Sequence, residues 1–230
     1  MGQGATTGSL VVTLEALKEM HLTPEDIQLI QNDTKTCPDT GMAGASRSLY
    51  MDGNATIIAA NKLLAAMRKE DGTLRTYDEM KAEGIETKYL GRYETNTTPG
   101  LCRLDPNTGI GDPTPAFTYC LNLAEVEVDT KTGKTTVLKF TCVDFVGRIG
   151  NIDAVNGQAY SGIMHGIGFA LKEDYADVKK HANMFGAGTS YIKDVPDDIN
   201  LIHIDGAISD GPFGSSGASE AFQASGHCAV

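Results

Sequence analysis

Three stretches of this chain gather small residues where a backbone can approach a ligand closely. Gly2-Gln3-Gly4-Ala5-Thr6-Thr7-Gly8 leads into one helical pattern. Cys37-Pro38-Asp39-Thr40-Gly41-Met42-Ala43-Gly44-Ala45-Ser46-Arg47-Ser48 leads towards another. The third is Gly211-Pro212-Phe213-Gly214-Ser215-Ser216-Gly217-Ala218-Ser219-Glu220. Glycine removes the Cβ that holds a ligand off the chain. A loop entering a helix also presents N–H groups that lack intrahelical partners. Such loops suit phosphate or another polar cofactor, and they serve equally as plain turns. None has Walker spacing or the Rossmann glycine fingerprint, so the common nucleotide folds are not indicated. Glu220 closes the third stretch, with no charged residue between it and Asp210 and with Ala221-Phe222 after it. A carboxylate in such company has a raised pKa if buried, which suits a general base. At a helix start it is equally an exposed charge favoured by the helix dipole.

The elements that must position these residues can be read from periodicity. Ser9 to Met20 has Leu10, Val11, Leu14 and Leu17 at helical spacing. Thr23-Pro24-Glu25-Asp26 reads as a capped helical turn with Pro at its first position, leading into a short buried strand at Ile27 to Ile30. Gly53 to Lys69 is the longest helical pattern, its stripe made by Ile57, Ile58, Ala60, Leu63, Leu64 and Met67. Thr76 to Ala82 predicts a further helix, and Lys88 to Thr114 reads as loop with at most one strand. Leu123 to Asp129 alternates, placing Ala124, Val126 and Val128 on one side and Glu125 and Glu127 on the other. Thr135 to Asp144 is a second β-prone run, and Gly133 in the intervening turn makes the two a hairpin. Asn156 to Leu171 predicts a glycine-rich helix and Ile199 to Ile208 a late strand. The mixture is α/β or α+β, with mixed sheets and packed helices. We divide it into residues 1–120 and 121–230.

Composition narrows the function classes. The 230 residues are 41% hydrophobic and 21% charged, ordinary for a globular protein able to bury a sizeable core. Thirty acidic against nineteen basic residues give a net charge of -11, which argues against nucleic-acid and anionic-membrane partners. The five cysteines include no CxxC pair, so zinc or iron–sulfur ligation by this chain is not expected. They read as reduced thiols in a cytoplasmic protein. No apolar run approaches about 20 residues, and no signal region follows Met1. Asn54-Ala55-Thr56 and Asn96-Thr97-Thr98 fit the glycosylation pattern and read as chance matches. The loop-like start and the apolar pattern cut short at Ser225 to Val230 suggest a fragment of a longer polypeptide.

The order and wording of these segments resemble the molybdopterin-binding domain of the xanthine oxidase and aldehyde oxidoreductase family, above all its bacterial aldehyde oxidoreductases. The carriers are Gly2-Gln3-Gly4, Pro38-Asp39-Thr40-Gly41 with Ala45-Ser46-Arg47, and Gly53-Asn54-Ala55. They continue with Asp144-Phe145-Val146-Gly147, Gly157-Gln158, Gly166-Ile167-Gly168-Phe169-Ala170-Leu171, and Gly211-Pro212-Phe213-Gly214 with Gly217 and Glu220. The resemblance runs along essentially the whole chain. It implies the C-terminal molybdenum-binding part of a large subunit that hydroxylates aldehydes to carboxylic acids with oxygen from water. An N-heterocycle such as a purine or nicotinate is the alternative substrate, and a non-catalytic cofactor cradle or split subunit needing a partner chain is the alternative role.

The resemblance places the base on Glu220 and pterin contacts on Gln3 with Gly4 and on Gln158, whose alternative is a plain helix-surface amide. It places the loop around the cofactor on Ala45, Ser46, Arg47 and Ser48, and the stretch beside the base on Gly217, Ala218 and Ser219. Ser219 stands where relatives carry glycine, which restricts approach of its N–H. His165 stands where many relatives carry glutamine, either as a core residue with one hydrogen bond or as a group that tunes the cofactor. The implied cofactor is molybdenum on molybdopterin cytosine dinucleotide, the metal held by the dithiolene and by no side chain of this chain. The parent would also carry 2Fe–2S iron–sulfur clusters and the first molybdenum-binding half outside these residues, and would assemble as a homo-oligomer.

Overall fold

A computed structural model describes residues 3–31, 33–41, 43–94, 105–111, 116–208 and 210–223. The chain divides into two compact units. The first comprises Met1–Phe117 with Ala207–Ser216, and the second Thr118–Gly206 with Gly217–Val230.

The first unit is helical. Helix α1 spans Ala5–Ala16, α2 spans Ser48–Met67 and α3 spans Tyr77–Ala82. Helix α1 begins ahead of Ser9, so Ala5 to Gly8 are helix rather than loop; Gly4 caps it in the left-handed region at φ 90°. Helix α2 begins at Ser48 and contains Gly53, where the sequence suggested a start. The reason is packing: a Cβ on Gly53 would sit 2.7 Å from Pro212 Cγ, so this glycine admits a loop rather than ending a helix. The two helices join around Leu17, Ala60 and Leu64, with Met20, Leu22 and Leu63 packed on them. Thr76 caps α3 by accepting from the Glu79 N–H, while the Glu79 carboxylate accepts from the Thr76 N–H. Thr23 and Asp26 form the same box around the 3-10 turn Pro24–Asp26. Residues 27–30 form no strand: Leu29 and Ile30 are exposed, and no described strand lies in this unit for them to pair with.

The second unit carries a three-stranded mixed sheet in the order β1–β2–β3. Strand β1 is Tyr119–Val128, β2 is Thr135–Phe145 and β3 is Asp198–His203. Strands β1 and β2 are the expected antiparallel hairpin, and β3 runs parallel to β2. The turn is fixed by Asp129, whose carboxylate accepts from the Lys131 N–H and the Thr132 hydroxyl, with Gly133 at φ 74°. The register slips between Glu125 and Val126, where Leu138 is the extra residue of a β-bulge. That shift lets Val137, Phe140, Cys142 and Asp144 all face inward. Val126, opposite the inward Val137, and Val128 keep the face of Ala124 as the alternation predicts, and both are exposed.

Helix α4, Ile152–Leu171, starts four residues earlier than Asn156 because Asn151 caps it by accepting from the Ala154 N–H. Its buried face (Ala159, Ile163, Ile167) meets Phe140, Cys142 and Phe222 to form the core. The opposite face of β1 is apolar in its first half, where Tyr119, Leu121 and Leu123 are each more than half exposed, and acidic towards the turn at Glu125 and Glu127. A one-turn helix α5 spans Met184–Ala187. Strand β3 ends at His203, short of Ile208. No helix among the described residues is long and apolar enough to cross a membrane.

One polar group enters this core. Asp144 is 1% exposed, and its Oδ2 lies 2.7 Å from His203 Nδ1. His203 Nε2 in turn meets Asn156 Oδ1 at 2.8 Å, tying both strand ends to α4. Burial raises the pKa of Asp144, and the charge and hydrogen bond of His203 oppose that rise. Replacing His203 with Leu removes the opposing contribution, so the folded-state pKa rises further above the unfolded value of about 3.9. Stability then holds below the unfolded pKa and falls as pH rises through the folded one. Urea denaturation should show His203→Leu costing roughly 1–3 kcal/mol more at about pH 7 than at about pH 4.

Candidate functional site

The residues singled out in sequence fall into both units. In the first, Gln3 is exposed beside the Gly4 cap of α1. Ala45 and Ser46 both have positive φ, 54° and 49°, in a turn closed by Arg47 N–H donating to the Gly44 carbonyl at 3.3 Å. Two consecutive left-handed residues mark a mirror-image turn that favours Asn and Gly. Holding Ala and Ser there costs of order 1–3 kcal/mol each, and such strain gathers at ligand sites. Arg47 follows as the N-cap of α2 with its side chain exposed, and half-buried Ser48 opens the helix. Around Gly41 and Gly44 no atom of the described residues, chain neighbours aside, lies within 4 Å of where a Cβ would be, so the space beside this loop is open among the described residues.

The same unit holds residues 207–216 against α2. Gly53 passes beneath Pro212, and Asn54 Nδ2 donates to the Tyr50 carbonyl at 2.9 Å and the Asp210 carbonyl at 3.1 Å. With both amide hydrogens in use, Asn54 is unsuited to carry a glycan. Phe213 (φ 53°) and Gly214 (φ 87°) reverse the chain, and the Ile208 N–H donates to the Gly214 carbonyl at 2.9 Å. A Cβ on Gly211 would lie 1.9 Å from the Ser215 carbonyl oxygen, so this tight loop requires glycine.

In the second unit Gly217, Ala218 and Ser219 are half-buried and lead into a helical turn over residues 219–223. Glu220 is the second residue of that turn and is exposed. Of the two readings of its neighbours, this is the exposed position at a helix start. What anchors it is Phe222, fully buried on α4, where a Cβ on Gly162 would meet Phe222 Cβ at 2.5 Å. Gln158 is half-buried on α4, one turn before Gly162, with open space around Gly157. His165 lies on α4 with its Nδ1 3.5 Å from Gln223 Nε2, half-buried and in contact with a neighbouring side chain. His227 lies outside the described residues. Sequence reasoning missed Asp144–His203–Asn156, although Asp144 stood in a noted motif; nothing in the linear spacing joins it to residue 203.

Comparison with known proteins decides what these loops belong to. Residues 1–196 match the model of the molybdopterin cofactor-binding domain. This chain belongs to that family. An aldehyde oxidoreductase of Megalodesulfovibrio gigas is 41% identical over 229 residues, covering 100% of this chain and 25% of the relative. A probable hypoxanthine oxidase of Escherichia coli K12 is 28% identical over 96% of this chain and 24% of its own length. Among solved structures, the aldehyde oxidoreductase from Desulfovibrio gigas superposes with a TM-score of 0.93 at 41% identity, over 99% of this chain and 25% of that one. That from Desulfovibrio desulfuricans gives 0.92 at 45% identity, over 98% and 24%. The chain thus spans about a quarter of the relatives it matches.

Both helix glycines should resist substitution. Gly162→Ala forces Phe222 from α4, and Gly53→Ala forces Pro212 from α2; each should cost about 1–3 kcal/mol in chemical denaturation. Gly157→Ala, inside the same helix as Gly162 but facing open space, should instead stabilise by about 0.5–1 kcal/mol in the same measurement.

Proposed function

We propose that this chain is the cofactor-holding and base-bearing part of a molybdenum hydroxylase that oxidises aldehydes to carboxylic acids with oxygen from water. One observation carries the substrate choice: identity reaches 41% along the whole chain with an aldehyde oxidoreductase, against 28% with the hypoxanthine oxidase. One aldehyde and one water give one carboxylic acid, two protons and two electrons. The cofactor is molybdenum on molybdopterin cytosine dinucleotide, which when bound accepts the two electrons.

The residues present suit such a group. Gln3 and Gln158 offer side-chain amides that donate and accept, matching the mixed edge of a pterin. The strained turn at Ala45-Ser46 brings the backbone beside open space, and Arg47 supplies a fixed cation for phosphate. Gly4, Ser48 and the stretch Gly217-Ala218-Ser219 add close backbone and hydroxyl donors. Glu220 accepts the proton from the water-derived nucleophile, held in place by the Phe222 anchor behind it. The first molybdenum-binding half and the 2Fe–2S clusters lie in the remainder of a longer, cytoplasmic, homo-oligomeric protein.

Turnover of the intact protein on aldehydes and on purines tests the substrate; turnover of purines alone overturns it in favour of the heterocycle reading. Glu220→Gln keeps shape and a hydrogen-bonding carbonyl while removing the proton acceptor. It should retain molybdenum and fold while losing roughly 10²–10⁴ in kcat. Near-normal kcat at full molybdenum content would reduce Glu220 to a helix-terminal charge.

A further inference from the structure

Cys120 and Cys142 bring two reduced sulfurs to 3.3 Å on the inner face of the β1–β2 hairpin. The register explains how they meet. Cys120 pairs with Asp144 and Asn122 with Cys142, so the cysteines are diagonal neighbours across one ladder. Their surroundings differ. Cys142 is fully buried in the cluster with Phe140 and Ile163, whereas Cys120 is half-buried. The hydrogen bond with Cys120 and burial push the Cys142 thiol up, and the Asp144 carboxylate adds to the rise. Cys142 is therefore the thiol that keeps its proton, and its S–H is placed to stabilise a thiolate on Cys120. Cys120 is the less buried of the two sulfurs, and Cys142 lies in contact with it deeper in the core.

We propose that Cys120 and Cys142 form a site of reversible oxidation that takes hydrogen peroxide and closes to a cross-strand disulfide. The Cys120 thiolate attacks one peroxide oxygen; an S–O bond forms, the O–O bond breaks, and hydroxide leaves to take up a proton as water. Cys142 sulfur then attacks Cys120 sulfur while its proton passes to the sulfenic oxygen. The S–S bond forms, the S–O bond breaks, and a second water departs. Two thiols and one peroxide give one disulfide and two waters, the thiols losing two electrons and the peroxide gaining them. From 3.3 Å the sulfurs need only close to about 2.05 Å. Diagonal cross-strand positions, about 7–8 Å apart between Cα atoms, exceed the usual disulfide span of about 4.4–6.8 Å, so closing the bond also draws the two strands together locally and strains it. The closed bond is therefore readily reduced by a small dithiol, which makes the site reversible. The proposal is independent of the substrate assignment, because neither thiol is placed in the cofactor cradle.

The test is a peptide map of the intact protein, exposed to one equivalent of hydrogen peroxide, alkylated and digested without reduction. The expected product joins the tryptic peptide containing Cys120 to that containing Cys142, and dithiothreitol abolishes it. Cys142→Ala should leave Cys120 as a sulfenic acid captured by dimedone. Cys120→Ala should slow peroxide consumption of the Cys142 thiol by about tenfold or more, since burial alone then governs its access. Recovery of both as free thiols, Cys120 joined to a different cysteine, or undiminished oxidation of Cys142 in Cys120→Ala would each overturn the proposal. Should a variant fail to fold, the map of the unaltered protein decides the matter by itself.

Discussion

Bare helix backbone is the constraint on which the positioning of the loops depends. In the first unit, Pro212 rests where Gly53 has no Cβ. In the second, Phe222 rests where Gly162 has none. A loop can be placed to a fraction of an ångström only if its own buried side chain locks into something rigid, and a helix surface stripped to its backbone is about as rigid as a protein provides. Residues 211–216 and 217–223 each lean on a long helix through one such contact. The same arrangement lets residues 219–223 hold Glu220 outward while Phe222 is sunk in the core behind it.

Polar groups inside the second unit follow a different logic. Asp144 would be costly alone in that core, so it is joined to His203 and through it to Asn156. Two strand ends and one helix are thereby fixed by a single chain of hydrogen bonds. Helix α4, which carries Gln158, is seated against the sheet by this connection as well as by its apolar face.

Much of this was legible in the amino-acid sequence. The hairpin, the capped turn at Thr23, the helix after Thr76 and the α/β mixture follow from local patterns that the structure reproduces. What failed failed for identifiable reasons. Gly53 looked like a helix boundary because an isolated glycine weakens a helix; its packing role depends on Pro212, 159 positions away. Alternation placed Val126 and Val128 on the face of Ala124, which the register bears out, but which positions along that face are covered is not a local property, and both are exposed. Ile27 to Ile30 looked like a strand because apolar runs do, yet a strand needs a partner. Glu220 stood out by its uncharged neighbourhood as well as by the family pattern, but its small neighbours left burial and exposure equally open. The Cys120–Cys142 contact needed the register, which sequence alone left open.

Strand β1 has a consequence of its own. It lies at the edge of the described sheet, and its first half, from Tyr119 to Ala124, has no charged residue, whereas its second half carries Glu125 and Glu127. Edge strands escape unwanted pairing through charge, proline or bulges. Here the bulge and both glutamates guard the turn end, leaving the Tyr119 end unguarded with Leu121 and Leu123 facing water. Handled alone and warmed, the chain has its weakest defence against aggregation at that one corner, and the repulsion of its net charge of -11 is what keeps two such corners apart.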